Sequence, residues 1–153
     1  MEKTVITYGT FDLFHIGHLR LLQRLKGLGD RIIVGISTDE FNMQKGKKCI
    51  IPYEQRAEIV QNMKQVDLVI PEQSWEQKRL DITRYQVDIF AMGSDWEGRF
   101  DDLSSLCEVT YLKRTDGISS TELRELLSNI DREKIDGLKR ALEVVLSMAE
   151  GLN

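Results

Sequence analysis

Val5-Ile6-Thr7-Tyr8-Gly9-Thr10-Phe11-Asp12-Leu13-Phe14-His15-Ile16-Gly17-His18, residues 5–18, decides how this chain is read. An apolar, β-branched run ends at a glycine, a mixed loop follows, and Leu19, Leu22, Leu25 and Leu28 then recur at helical spacing. A second apolar run over 31–37 comes next. Strand, helix and strand in that order predict a βαβ unit with parallel strands over 5–8 and 31–37. Gly29 stands where a left-handed residue would close the helix.

The same alternation continues, with strands predicted over 66–70, 88–92 and 108–112, so the chain reads as an α/β domain built on an open parallel sheet. Residues 38–48 are polar, with Lys45, Lys47 and Lys48 around Gly46, and read as a mobile loop. Pro52 suits a first helical position, with Ala57, Val60 and Met63 or Lys64 at helical intervals to about residue 64. Ser74 with Gln77, and Ser119 with Glu122, are capping-box pairs that open two further helices. Beyond 128, Ile135, Leu138, Leu142, Val145 and Ala149 fall on one face of a helix expected over 131–149, with Gly137 as an internal weak point. Residues 1–128 are thus expected to form the α/β domain, and 129–153 an amphipathic helical extension.

Composition narrows the function. The 153 residues are 41% hydrophobic and 30% charged, ordinary for one domain with a packed core. Against 25 acidic residues stand 21 lysines and arginines, and the net charge of −4 offers no basic field for a nucleic-acid backbone. The longest apolar runs are strand-sized, such as Ile32-Ile33-Val34, which excludes a helical membrane span. Two cysteines make no disulfide framework, and the opening MEKTVITYGT holds no apolar signal core, so the expected compartment is the cytoplasm.

In an open parallel sheet ligands bind beyond the carboxyl ends of the strands. Both histidines of the chain, His15 and His18, lie in the first such loop, where a helix start supplies N–H groups and partial positive charge for phosphate oxygens. Gly17 keeps the approach open. Two other readings of a His-x-x-His pair are a zinc site, for which Cys49 and Cys107 lack metal-type spacing, and structural burial. The loop Lys113-Arg114-Thr115-Asp116-Gly117-Ile118-Ser119-Ser120-Thr121 is a second anion cradle, with Arg114 able to grip phosphate through two parallel bonds. Lys45 and Lys47 fit either a solvated run or a lid over phosphates; Arg56 alone is equally ambiguous. Asp95 and Trp96 supply a carboxylate and a ring for a base, although spacing fits Trp96 to core packing just as well.

Gly9-Thr10-Phe11-Asp12 with His15-x-Gly17-His18, and Arg114-Thr-x-Gly117-Ile118-Ser119-Ser120-Thr121, resemble the two signatures of the cytidylyltransferase family within the nucleotidyltransferase superfamily. The runs ISTDEFNMQKGKK, SWEQKRLDI, MGSDWEGRFD and CEVTYLKRT are similar to those of its glycerol-3-phosphate branch. The resemblance implies a Rossmann-like doubly wound parallel sheet of about five strands. It also implies a homodimer, Mg2+, and the reaction of CTP with glycerol 3-phosphate to CDP-glycerol and pyrophosphate, serving teichoic-acid or related polymer synthesis. Carried over by position, His15, His18, Ser119 and Thr121 hold the triphosphate, with Gly9, Thr10, Phe11, Gly17, Gly117 and Ile118 also on the nucleotide. Lys45 and Lys47 match mobile-loop lysines on the phosphate and acceptor side. Asp12, Arg56 and Arg114 match residues of phosphate or acceptor binding, and Asp95 with Trp96 falls on the cytosine-side loop. His15, His18, Lys45 and Arg114 are thereby the expected catalytic set, with no metal-ligating side chain assigned. The same matching puts Lys64 on the acceptor-binding side, where it departs from the family pattern by standing where relatives often carry arginine. The rival readings are a cytidylyl- or adenylyltransferase for another phospho-alcohol, and a noncatalytic nucleotide-binding module; intact His15, Gly17, His18 and Arg114 argue against the latter.

Overall fold

The computed structural model describes residues 2–150 and divides the chain after Ile118 into two compact units. In the first, strands β1 (Thr4–Gly9), β2 (Arg31–Ser37), β3 (Leu68–Glu72), β4 (Ile89–Gly93) and β5 (Glu108–Leu112) form one parallel sheet in the order β3-β2-β1-β4-β5. Helices α1 (Ile16–Lys26), α2 (Asp39–Gln44), α3 (Tyr53–Gln61) and α4 (Gln77–Arg84) lie in the crossovers. Short 3-10 turns span Ser94–Trp96 and Asp101–Ser105.

Alternation along each strand sorts the core into two layers, because successive side chains point to opposite faces. Val5, Ile32, Val34 and Ile36 pack with Leu22 and Leu25 of α1 and Val60 of α3. On the other face Ile6, Ile33, Ile70, Phe90 and Met92 pack with Ile82 of α4 and Leu103. A sheet covered on both sides needs near-continuous apolar strands, which β2 and β4 supply. Each fully buried side chain such as Ile33 or Leu25 contributes about 1.5–3 kcal/mol. At Gly35 an added Cβ would lie 2.3 Å from the Tyr8 ring, so only glycine lets that ring cross β2.

Several expectations shift. The helix after β1 ends at Lys26 with Gly27 as a right-handed cap; Gly29 is kept small instead because a Cβ there would meet the Lys3 carbonyl oxygen at 2.6 Å. Residues 38–48 are not a plain loop: Thr38 caps Phe41 N–H, and Asp39 and Glu40 favour the start of α2. Pro52 is the cap of α3 rather than its first residue, and that helix stops at Gln61. Ser74 does accept from Gln77 N–H, but Gln77 returns its side chain to Gln73 N–H and α4 starts only at Gln77.

The second unit is one continuous helix, α5 (Ser120–Glu150), opened by Ser119 accepting from Glu122 N–H. Ile135, Leu138, Leu142 and Val145 on it are all more than half exposed. Residues 151–153 of the expected extension lie outside the described residues.

Candidate active site

β1 stays paired with β2 as far as Gly9↔Ile36, whereas its register with β4 covers only Val5↔Ile89 and Ile6↔Phe90. The strand order also reverses direction at β1, so the crevice beyond the ends of β1 and β4 is the topological switch point where such folds bind ligands.

His15 and His18, in the loop that follows β1, cap α1 with their own rings. His15 Nδ1 accepts from Gly17 N–H at 3.0 Å, and His18 Nδ1 accepts from His15 N–H at 3.3 Å: a capping box made of imidazoles. An accepting Nδ1 carries no proton, so each neutral ring holds its proton on Nε2. The rings stack with centroids 3.9 Å apart, and Phe11 and Phe14 back His18 at 5.2 and 5.4 Å. Gly17 is required by His15 itself, whose ring would sit 2.8 Å from a Cβ. Burial drives the His18 imidazole down to about 4, the neighbouring His15 adding to the shift and Asp12 opposing it.

Phe11 and Leu13 hold left-handed backbone, with φ of 54° and 51°, at a cost of about 1–2 kcal/mol each. Between them Asp12 is buried, its carboxylate accepting from Ile50 and Ile51 N–H at 2.9 Å each. Arg56 is buried equally deeply. It donates to the carbonyls of Ile51, Thr10 and Ser37 and to the Asp39 carboxylate, all within 2.9 Å. Lys64 is exposed beyond the end of α3.

A cleft of about 180 Å³ at the crevice is lined by Gly9, Thr10, Lys45, Lys47, Glu72, Trp75, Lys78 and Trp96, among others. Lys45 lies 4.2 Å from the Phe41 ring centre and 5.5 Å from that of Trp75. Burial holds its ammonium below the ordinary lysine range; Glu72 opposes this, and Lys47 and Lys78 add to it. Three lysines against one carboxylate leave the cleft positive, as an anionic ligand requires. Sequence reasoning passed over Lys78 and Glu72, an ion pair with both side chains at most 4% exposed. Lys78 is further boxed by the Tyr8 and Trp75 rings, at 4.6 and 4.7 Å.

Residues 114–118 of the second signature belong to the first unit. Ile118 Cγ2 lies 3.4 Å from the position of a Cβ on Gly17, Gly117 takes a left-handed φ of 82°, and Arg114 pairs with Asp95 at 2.9 Å. The Trp96 ring packs on Phe100 at 5.8 Å and also lines the cleft. Ser119 and Thr121 belong to the second unit.

A family model described as cytidylyltransferase-like matches residues 6–126. The chain belongs to the cytidylyltransferase family. Among curated cytidylyltransferases, glycerol-3-phosphate cytidylyltransferase of Bacillus subtilis (strain 168) is 56% identical over 128 residues, which cover 84% of this chain and 99% of the relative. The enzyme of that name from Staphylococcus aureus (strain NCTC 8325 / PS 47) is 54% identical over 129 residues, 84% of this chain and 98% of its own. The lipopolysaccharide core biosynthesis protein from Thermoplasma volcanium GSS1 shares the fold, with a TM-score of 0.65 at 22% identity over 76% of this chain and all of that one.

The half-buried His18 gives this cytidylyltransferase a defined acid sensitivity. Between pH 6.5 and about 4 the unfolded chain takes up a proton that folded His18 refuses, so stability is complete above 6.5 and is lost as pH falls through that window. The loss attributable to His18 is on the order of 3 kcal/mol. Urea midpoints across pH 4 to 7 should show the slope, and His18→Asn should flatten it; an equally steep slope in that variant assigns the window to other groups.

Proposed function

We propose that this chain transfers the cytidylyl group of CTP to glycerol 3-phosphate, releasing pyrophosphate and giving CDP-glycerol for teichoic-acid or related glycerol-phosphate polymer synthesis. The observation that carries it is the cleft in which Lys45, Lys47 and Lys78 gather at the strand end that also leads to the two neutral histidines. A phosphate oxygen of the acceptor attacks the α-phosphorus of CTP, the new P–O bond forms, and the bond to the bridging oxygen of pyrophosphate breaks in line. The acceptor dianion is itself nucleophilic, so no side chain is needed as nucleophile or general base. His15 and His18 donate from Nε2 to the α-phosphate oxygens, and Lys45, Lys47 and Arg114 balance charge on the leaving pyrophosphate. Lys78 faces the acceptor phosphate. Asp95 and Trp96 flank the base, while Gly9, Thr10, Gly117, Ile118, Ser119 and Thr121 follow the nucleotide as the family signatures have it.

Among the described residues no three His, Cys, Asp or Glu side chains stand together as metal ligands, so the donor set does not fit a resident ion. A divalent ion, which we take as Mg2+, would supply charge neutralisation to the bound triphosphate, and no step is assigned to it. No described helix is long and apolar enough to cross a membrane. We infer a cytoplasmic homodimer, as the family resemblance implies.

Pyrophosphate release from CTP or ATP with a panel of phosphorylated alcohols tests the reading. Glycerol 3-phosphate with CTP should be turned over fastest by at least 10-fold; a preference for another acceptor or nucleotide replaces the substrate assignment, and no release with any pair overturns the enzyme reading. We further infer that residues 1–128 carry the chemistry, since the curated relatives match along nearly their whole length over a stretch of that size. A chain ending at Asn129 should keep measurable synthesis while losing stability or solubility, and a stable but inactive product would give the extension a part in the site.

A further inference from the structure

Asp12 and Arg56 carry the family signature and the adjoining helix, yet each is 1% exposed and turned toward main chain rather than into the cleft. Their bonds converge on one residue. Ile51 gives its N–H to Asp12 and its carbonyl to Arg56, at 2.9 Å each. Through Thr10 and Ser37 carbonyls the guanidinium also reaches the ends of β1 and β2, and through Asp39 the first turn of α2. Asp12 is held in place by two left-handed neighbours, a backbone state that persists only where the surroundings over-determine it. The histidine loop and the carboxyl end of the lysine segment are therefore tied at a single buried point, six residues after Lys45.

We propose that Asp12 and Arg56 are positioning residues and not substrate ligands: a buried clamp that sets Lys45 and Lys47 against the phosphates held by His15 and His18. Engagement at the histidines and placement of the lysines become one event. Without the clamp the lysines remain present but no longer arrive in register, so their contribution to turnover disappears with it.

A double-mutant cycle reads this directly. In Asp12→Asn one amide hydrogen would confront the Ile50 or Ile51 N–H, breaking half of the clamp while conserving size. Asp39→Asn, at a half-exposed side chain, weakens the Arg56 end and keeps the cycle decisive should Asp12→Asn not fold. Each is combined with Lys45→Ala, and kcat and KM are measured for CTP and glycerol 3-phosphate. The clamp predicts a fall in kcat of about 10-fold or more for Asp12→Asn with acceptor KM within about 3-fold of wild type. It also predicts that adding Lys45→Ala costs less than 2-fold further. Multiplying effects, or a selective rise in acceptor KM, would overturn it and return both residues to direct substrate binding or plain structural support. The proposal rests on cytidylyl transfer as the reaction followed. An error there silences the wild type run alongside, or moves its turnover to another acceptor on which the same cycle is measured; an error in the clamp leaves wild-type turnover intact.

Discussion

His15→Ala and His18→Ala each leave a folded protein whose turnover falls about 100-fold or more, the scale of losing a preorganised donor to developing charge. The capping geometry sharpens the test, because each ring does two things. Its Nδ1 closes α1, worth about 1 kcal/mol at a helix start, and its Nε2 carries the ring's proton. Asparagine at position 15 preserves a capping oxygen and removes the second donor. His15→Asn should therefore recover the stability lost in His15→Ala without recovering kcat, measured by thermal unfolding beside pyrophosphate release. Joint recovery of both would reduce His15 to a cap, and near-normal kcat in a folded His18→Ala would remove His18 from the chemistry.

The second large effect lies at Lys78. Replacing it with methionine leaves the buried Glu72 carboxylate without its ion-pair partner, a loss of about 3–5 kcal/mol. Lys78→Met should thus unfold at a markedly lower temperature and bind the acceptor poorly. Adding Glu72→Gln removes the buried charge and should restore most of the stability. If Lys78 faces the acceptor phosphate, the double variant stays at least 10-fold impaired in acceptor KM; a double variant with ordinary acceptor kinetics would make the pair purely structural.

Why Lys78 was invisible in the sequence is instructive. It sits in Glu76-Gln77-Lys78-Arg79, a run with the charge of a solvated helix face, and nothing local announces that one position of the four points into the sheet. Its partner Glu72 is contributed by the end of a strand that was itself misplaced. The apolar run at 66–70 invited a strand there, yet pairing runs two residues later, Ile33↔Leu68 through Ser37↔Glu72, and includes Pro71. β3 is an edge strand, where a missing N–H is tolerated, so the proline that looked like punctuation is part of the ladder. By contrast β2 and β5 were legible to the residue, since dense β-branched content bounded by charge leaves no competing period. The histidines were legible for a different reason: there are only two, both at one βα turn. Asp12 and Arg56 were found by position, but their burial is set by contacts 38 to 46 residues away in sequence, which no local pattern encodes.

The chain contains two tryptophans, Trp75 and Trp96, and both line the cleft with ring centroids 5.9 Å apart. Indole emission from this protein is therefore spatially selective by birth, every photon originating at the cleft wall. At that spacing the two rings exchange excitation, and the Lys45 ammonium 5.5 Å from the Trp75 ring sits close enough to tune its emission. Nucleotide arrival, lysine placement and product departure can accordingly be timed by stopped-flow fluorescence on the unlabelled wild-type chain, with no reporter introduced into the machinery it would report on.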